Sequence, residues 1–141
     1  MLTSVTLITD GACLGNPGPG GYAAILQAGA AEKVVAGSEN QTTNNRMELS
    51  AVIAGLSALK RRCQVTLLTD SHYVITMLNG GKAKANQDLV ARIRELAKNH
   101  EITATYVAGH TGHPLNERAN KLARAEAQTA KQARAAEPMP K

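Results

Sequence analysis

LITDGACLGNPGPGGYAAI, residues 7–25, sets a strand, a reversal and a second strand in a row, with one carboxylate, Asp10, where the first strand gives out. Val5 and Leu7 alternate with Thr6 and Ile8 in a run that favours β-structure. Gly11, Gly15, Pro17, Gly18, Pro19, Gly20 and Gly21 follow, a density that predicts an end to regular structure and a tight turn. An Asp before a Gly is, by itself, a turn residue. An acid at a strand end, beside backbone that a ligand can approach closely, also suits metal or phosphate chemistry. The rest of the chain decides between the two.

Beyond the reversal, residues 21–28 and 33–41 read as two more strands, and the short connections predict an antiparallel meander. The period then changes. Leu49, Val52, Ile53, Leu56 and Leu59 recur at helical spacing, which predicts a helix over 42–62. Glu48 lies three residues after Asn45, as in a capping box, and Lys60, Arg61 and Arg62 suit the C-terminal end of the helix dipole. Residues 65–69 form a short apolar strand, expected to be central and covered on both faces, with Asp70 at its end. A short helix over 71–78, a basic loop over 79–85, an amphipathic helix over 88–100 and a last strand over 102–107 follow. After the loop AGHTGHP, Pro114 suits the first turn of a helix over about 115–133, its inward face built from Leu122 and alanines. The order predicts an α/β fold: three antiparallel strands, then helix-connected strands, in a mixed sheet of five flanked by helices. Residues 1–133 are expected to form one domain and 134–141 a flexible tail.

The bulk numbers fit a single soluble domain. The chain has 141 residues, 43% of them hydrophobic, and lacks Phe and Trp, so Leu, Ile, Val, Met and Ala must fill the core. A formal charge of +5 suits a polyanionic partner. Cys13 and Cys63 have neither disulfide-framework nor metal-ligand spacing, which fits reduced thiols in the cytoplasm. The N-terminus carries no signal-peptide pattern, and no apolar run approaches the ~20 residues that cross a bilayer. GNPGPGG lacks the Lys-Ser/Thr ending of a P-loop, which excludes that class.

Asp10 and Asp70 each close a predicted strand. If those strands pair in parallel, both acids reach one edge of the sheet, where ligand sites form. Glu48, in the first turn of the intervening helix, can point to the same place. Three gathered carboxylates repel unless a cation neutralises them, and an oxygen-only set suits Mg²⁺ or Mn²⁺. Each acid also has a bland alternative: turn residue for Asp10, capping box for Glu48, N-cap for Asp70.

ITDGACLGNPGPGGYAAIL, TTNNRMEL, LLTDSHYV and VAGHTGHPLNERANKLA together resemble, in order, the successive motifs of the type 1 ribonuclease H family. The resemblance covers most of residues 1–127. It implies a ribonuclease H-like fold and cleavage of the RNA strand of an RNA–DNA hybrid by two Mg²⁺ ions, giving 3′-hydroxyl and 5′-phosphate ends. Asp10, Glu48 and Asp70 stand at the family's first three catalytic acids, and His110 matches its mobile histidine, linked to proton transfer or product release. Cys13, Asn16, Asn44 and Asn45 match positions used at the hybrid's minor groove, and Thr43 a phosphate-binding threonine. His72 stands where many relatives have Gln. The partner implied is the hybrid alone, bound by a monomer with no obligatory protein partner and no membrane.

The chain departs from the family in three places. At the fourth acid, ten residues after His110, it has Asn120, expected to remain a metal ligand. A basic protrusion after the Asp70 helix is missing, leaving only NGGKAKA, and Lys82, Lys84, Lys121, Arg124, Lys131 and Arg134 are candidates to replace its phosphate contacts. Gln41 and Glu39 leave the DNA-side phosphate pocket short of positive charge. Two other functions compete: a catalytically weakened hybrid-binding module, and another domain of the wider fold such as a transposase, integrase or exonuclease. TTNNRMEL speaks against the last.

Overall fold

The computed structural model describes residues 2–108 and 113–135. Within them, five strands and four helices follow one another: β1 (Thr3–Cys13), β2 (Gly18–Ala28), β3 (Ala31–Thr42), α1 (Asn44–Ser57), β4 (Cys63–Thr69), α2 (His72–Leu78), α3 (Gln87–Ala97), β5 (Glu101–Tyr106) and α4 (Pro114–Ala135). They build one mixed sheet in the order β3-β2-β1-β4-β5. β1–β2 and β2–β3 are antiparallel; β1–β4 and β4–β5 are parallel. The expected architecture holds.

The glycine-rich stretch behaves differently from its composition. β1 runs on through Gly11 to Cys13, and β2 already starts at Gly18, so the reversal is confined to 14–17. Asp10 is therefore inside β1, opposite Ala23 of β2, and does not end the strand. The reason is tertiary. A Cβ on Gly11 would lie 2.4 Å from the Glu48 amide nitrogen, and one on Gly21 would lie 2.3 Å from the Ala123 carbonyl oxygen. These glycines let α1 and α4 settle onto the sheet, a use that overrides their weak strand propensity.

α1 covers one face of the sheet. Leu7, Leu49, Val52, Leu56, Val65 and Leu67 are buried there in one cluster that also takes in Val74, Val90 and Ile93 from the two helices alongside. The other face carries α4, which presents Ala119, Ala123, Ala127 and Ala130 with Ile8 and Ile25 beneath it. β4 is central, as expected, but only its Val65 and Leu67 side is fully covered; Gln64 and Thr66 on the opposite side are exposed. α4 lies over β1, β2 and β3 and leaves that part of the sheet open.

α1 is shorter than its periodicity predicts. It ends at Ser57 with Ala58 as C-cap, so Lys60, Arg61 and Arg62 lie beyond it rather than in its last turn. Its N-cap is Thr43, whose Oγ1 accepts from the Arg46 amide at 3.2 Å, so no capping box forms with Asn45. Ser71 caps α2 in the same way, receiving the Val74 amide at 3.1 Å. Asp70 is thereby free of a capping role. The short link between α2 and α3 is fastened by Arg94, which donates to the carbonyls of Met77 and Gly81. Arg46 forks onto Asp88 at 3.0 and 2.9 Å, tying the start of α3 to α1. Among the described residues no helix is long and apolar enough to cross a membrane.

Candidate active site

Asp10, Glu48 and Asp70 come together. Each offers a carboxylate oxygen, and these atoms lie within 4.8 Å of one another. The sheet explains why. The parallel β1–β4 ladder ends at Ile8–Leu68, so Asp10 and Asp70 both sit two residues past its last rung. Gly11 lets the first turns of α1 press on β1, which brings Glu48 to the same point. Asp10 and Glu48 are buried, Asp70 half-buried.

The protein alone does not neutralise this cluster. Burial, then the neighbouring Asp10 and Asp70 carboxylates, push the Glu48 carboxyl well above its ordinary range. Burial also raises Asp10; the Asn120 amide pulls it back, Asp70 pushes it up again, and the net direction is upward. Asp10 Oδ1 accepts from the Gly11 amide at 3.0 Å, and Oδ2 accepts from Asn120 Nδ2 at 2.8 Å. Glu48 Oε2 is buried and has no hydrogen-bond partner among the described residues. An oxygen-only donor set with an orphaned buried carboxylate oxygen fits a hard divalent cation.

A cavity of about 360 Å³ surrounds the acids, and Cys13, Asn44 and Asn120 also line it. Arg124 and Gln128 complete its α4 wall. Gln128 was not among the residues expected from sequence; its position two helical turns after Asn120 is the signal that points to it.

The expected substrate face lies around the start of α1. Asn16 Oδ1 accepts from the Asn44 amide at 3.1 Å, so the hairpin tip caps this helix together with Thr43. Both residues keep a donor: the Asn16 amide and the Thr43 hydroxyl. Asn44 and Asn45 are exposed in the first turn. The half-buried Cys13 thiol donates to the carbonyls of Thr42 and Gly18 at 3.4 and 3.5 Å, and burial raises its pKa. His72 is exposed at the start of α2 and stacks on Tyr106, with ring centroids 3.9 Å apart and an interplanar angle of 13°. That partner was not foreseen. Gln41 accepts a hydrogen bond from Arg134 at 3.0 Å, which brings a cation from α4 to the end of β3. His110 lies outside the described residues.

The RNase H family profile matches residues 3–128. The chain belongs to the RNase H family. It is 49% identical over 140 residues to a Ribonuclease H of Thermus thermophilus, covering 89% of this chain and 84% of the relative. A Ribonuclease H of Pseudomonas putida is also 49% identical, over 137 residues, covering 87% of this chain and 93% of the relative. Among solved structures, LC9-RNase H1, described as a type 1 RNase H with the type 2 active-site motif, superposes with a TM-score of 0.81 at 29% identity, over 92% of this chain and 74% of that one. The RNase H match spans β1 to about two thirds of the way along α4, and so takes in Asp10, Glu48, Asp70 and Asn120 together.

Proposed function

We propose that the chain is an endoribonuclease that hydrolyses the RNA strand of an RNA–DNA hybrid with two divalent cations, leaving 3′-hydroxyl and 5′-phosphate ends. Mg²⁺ is the cofactor, with Mn²⁺ as a substitute. One observation carries this reading: three carboxylates from β1, α1 and the link after β4 gather within 4.8 Å in a family whose relatives are named Ribonuclease H. Asp10, Glu48, Asp70 and the Asn120 side-chain oxygen would hold the ions, which when bound supply an activated water and stabilise the leaving oxygen.

The chain's own residues do the rest. Gly11 and Asn120 fix both oxygens of Asp10. Asn120 brings no negative charge and cannot act as a base, so its contribution is orientation and a neutral oxygen. Arg124, on the wall of the cavity, faces the phosphate that enters it. His110 is read as the group that moves a proton or eases product release. Thr43, Asn16, Asn44 and Asn45 sit at a helix N-terminus, where backbone N–H groups and the dipole suit a phosphate. With Cys13 and His72 they would read 2′-hydroxyls and helix shape rather than bases. Residues 1–133 are read as a single monomeric, cytoplasmic domain that needs no protein partner.

The test is cleavage of a labelled hybrid with Mg²⁺ or Mn²⁺ titrated, beside single-stranded RNA and duplex DNA. Hybrid-only cleavage that Asp10→Asn abolishes is the expected result. Hybrid binding without cleavage at any metal concentration favours the second reading, a weakened binding module, which Asn120 at the fourth acid position motivates.

A further inference from the structure

Two cavities meet at Leu14. The one holding the acids is walled on α4 by Asn120, Arg124 and Gln128. The next, of about 660 Å³, runs between the hairpin tip at Leu14, Gly15 and Pro19 and the last turns of α4 at Lys131 and Arg134. Asn120, Arg124, Gln128 and Lys131 are spaced by four, four and three residues, so they follow one flank of the helix beside its buried alanine face. Arg134 extends the row.

This flank is positive. Arg124, Lys131 and Arg134 are exposed, and among the described residues none of them is in an ion pair. Among the described residues, the acids that line either cavity are Asp10, Glu48 and Asp70. Glu117 lies before Asn120 and lines neither. Arg134 is held in place by Gln41 and keeps further N–H groups to donate. At a rise of about 1.5 Å per residue, Arg124 and Arg134 are roughly 15 Å apart along the axis. A strand carries one phosphate for about every 3.4 Å of duplex axis, so the row is long enough to meet more than one phosphate.

We propose that the groove between the β1–β2 hairpin tip and α4 is a track for the phosphate backbone of a nucleic-acid strand that continues past the acids, gripped by Arg124, Lys131 and Arg134. Leu14 and Pro19 form the apolar wall against its sugars. The occupant is a nucleic-acid strand because the groove shares Leu14 with the cavity that holds the acids, lies along the same flank of α4, and carries charge that complements phosphate. The inference rests on the hybrid-cleaving reading above and extends it. It assigns to α4 a phosphate grip of its own, beside the shortened link between α2 and α3.

The experiment compares the wild-type protein with the double variant Lys131→Gln and Arg134→Gln. Binding is measured by fluorescence anisotropy in EDTA across a salt series, on a hybrid two helical turns long and on one of about four base pairs whose strands are joined by a loop so that it stays paired, too short to fill both cavities. The double variant binds the long hybrid about tenfold more weakly, and its log–log salt slope is smaller by about 2. The short hybrid is barely affected, and Lys131→Arg with Arg134→Lys restores both quantities. Both positions are exposed, and an unchanged far-ultraviolet spectrum checks the fold. A wild type that cleaves hybrid, with affinity and slope unmoved in the double variant or with equal loss on the short hybrid, overturns the track alone. A wild type that binds no hybrid overturns the track and the proposed function together.

Discussion

Asn120→Asp restores a fourth carboxylate where this chain has an amide, and the structure gives the size of the effect. Asn120 Nδ2 donates to Asp10 Oδ2 at 2.8 Å. The substitution removes a hydrogen bond to a charged group, about 1.5–3 kcal/mol, and sets two negative groups side by side. At ~4 Å after relaxation and an effective dielectric near 20, their repulsion is about 4 kcal/mol. Proton uptake and side-chain rotation relieve part of this, so the metal-free variant is expected to lose ~2–4 kcal/mol, or roughly 5–15 °C in Tm. A divalent cation reverses the sign, because it gains a charged ligand. Calorimetry at neutral pH is the assay, first in EDTA and then with Mg²⁺ or Mn²⁺ titrated. The variant should melt lower without metal, close the gap as metal is added, and reach half-saturation at lower metal concentration. An unchanged metal-free Tm together with an unchanged midpoint would refute both the hydrogen-bond role of Asn120 and its place at the ions.

Gly11→Ala drives a Cβ to 2.4 Å from the Glu48 nitrogen and 2.5 Å from the Met47 carbonyl carbon, both backbone atoms. The variant should lose about 1–3 kcal/mol or more in urea unfolding, and most of its hybrid cleavage as Glu48 is displaced. The Glu48 carboxyl is raised above its ordinary value of 4.5, so its contribution to metal-free stability is full below that pH and is lost as pH rises through the raised value. The metal-free Tm should therefore fall from weakly acidic toward neutral pH, and Glu48→Gln should flatten that slope. Asp88 has the opposite sign: Arg46 lowers its carboxyl to about 2, so the pair stabilises above 3.8 and fades as pH falls through the lower value. Wild type and Asp88→Asn should differ slightly in Tm near pH 5 and converge near pH 2.

The meander, the helix-connected strands and the convergence of Asp10, Glu48 and Asp70 were legible because alternation and helical period are local signals, although Asp10 proves to lie inside β1 and not at its end. What was misread depended on contacts between elements. Gly11 and Gly21 look like turn residues until α1 and α4 are laid over them. Glu48 fits a capping box by spacing, yet Thr43 takes the cap and leaves the glutamate to the acids. Apolar spacing carried α1 through Leu59, but the helix stops at Ser57, and Leu59 packs on the core from outside it. Asn120 read as a metal ligand; its donation to Asp10 needs the distance between α4 and β1. The bond between Arg134 and Gln41 joins residues 93 positions apart, and neither announces the other.

The alanine seam of α4 bears on how mutational data from this chain will read. Ala123 and Ala127 meet the backbone of Gly21 with no side chain in between. Even one added methyl group acts as a wedge beneath the helix that carries Asn120 and Arg124. In a saturation screen scored by cleavage, these two alanines will be as intolerant as the acids themselves, though they touch no substrate. Only a parallel screen for folded protein separates chemistry from foundation: substitutions at Asp10 should leave abundance intact, and those at the seam should remove both signals together.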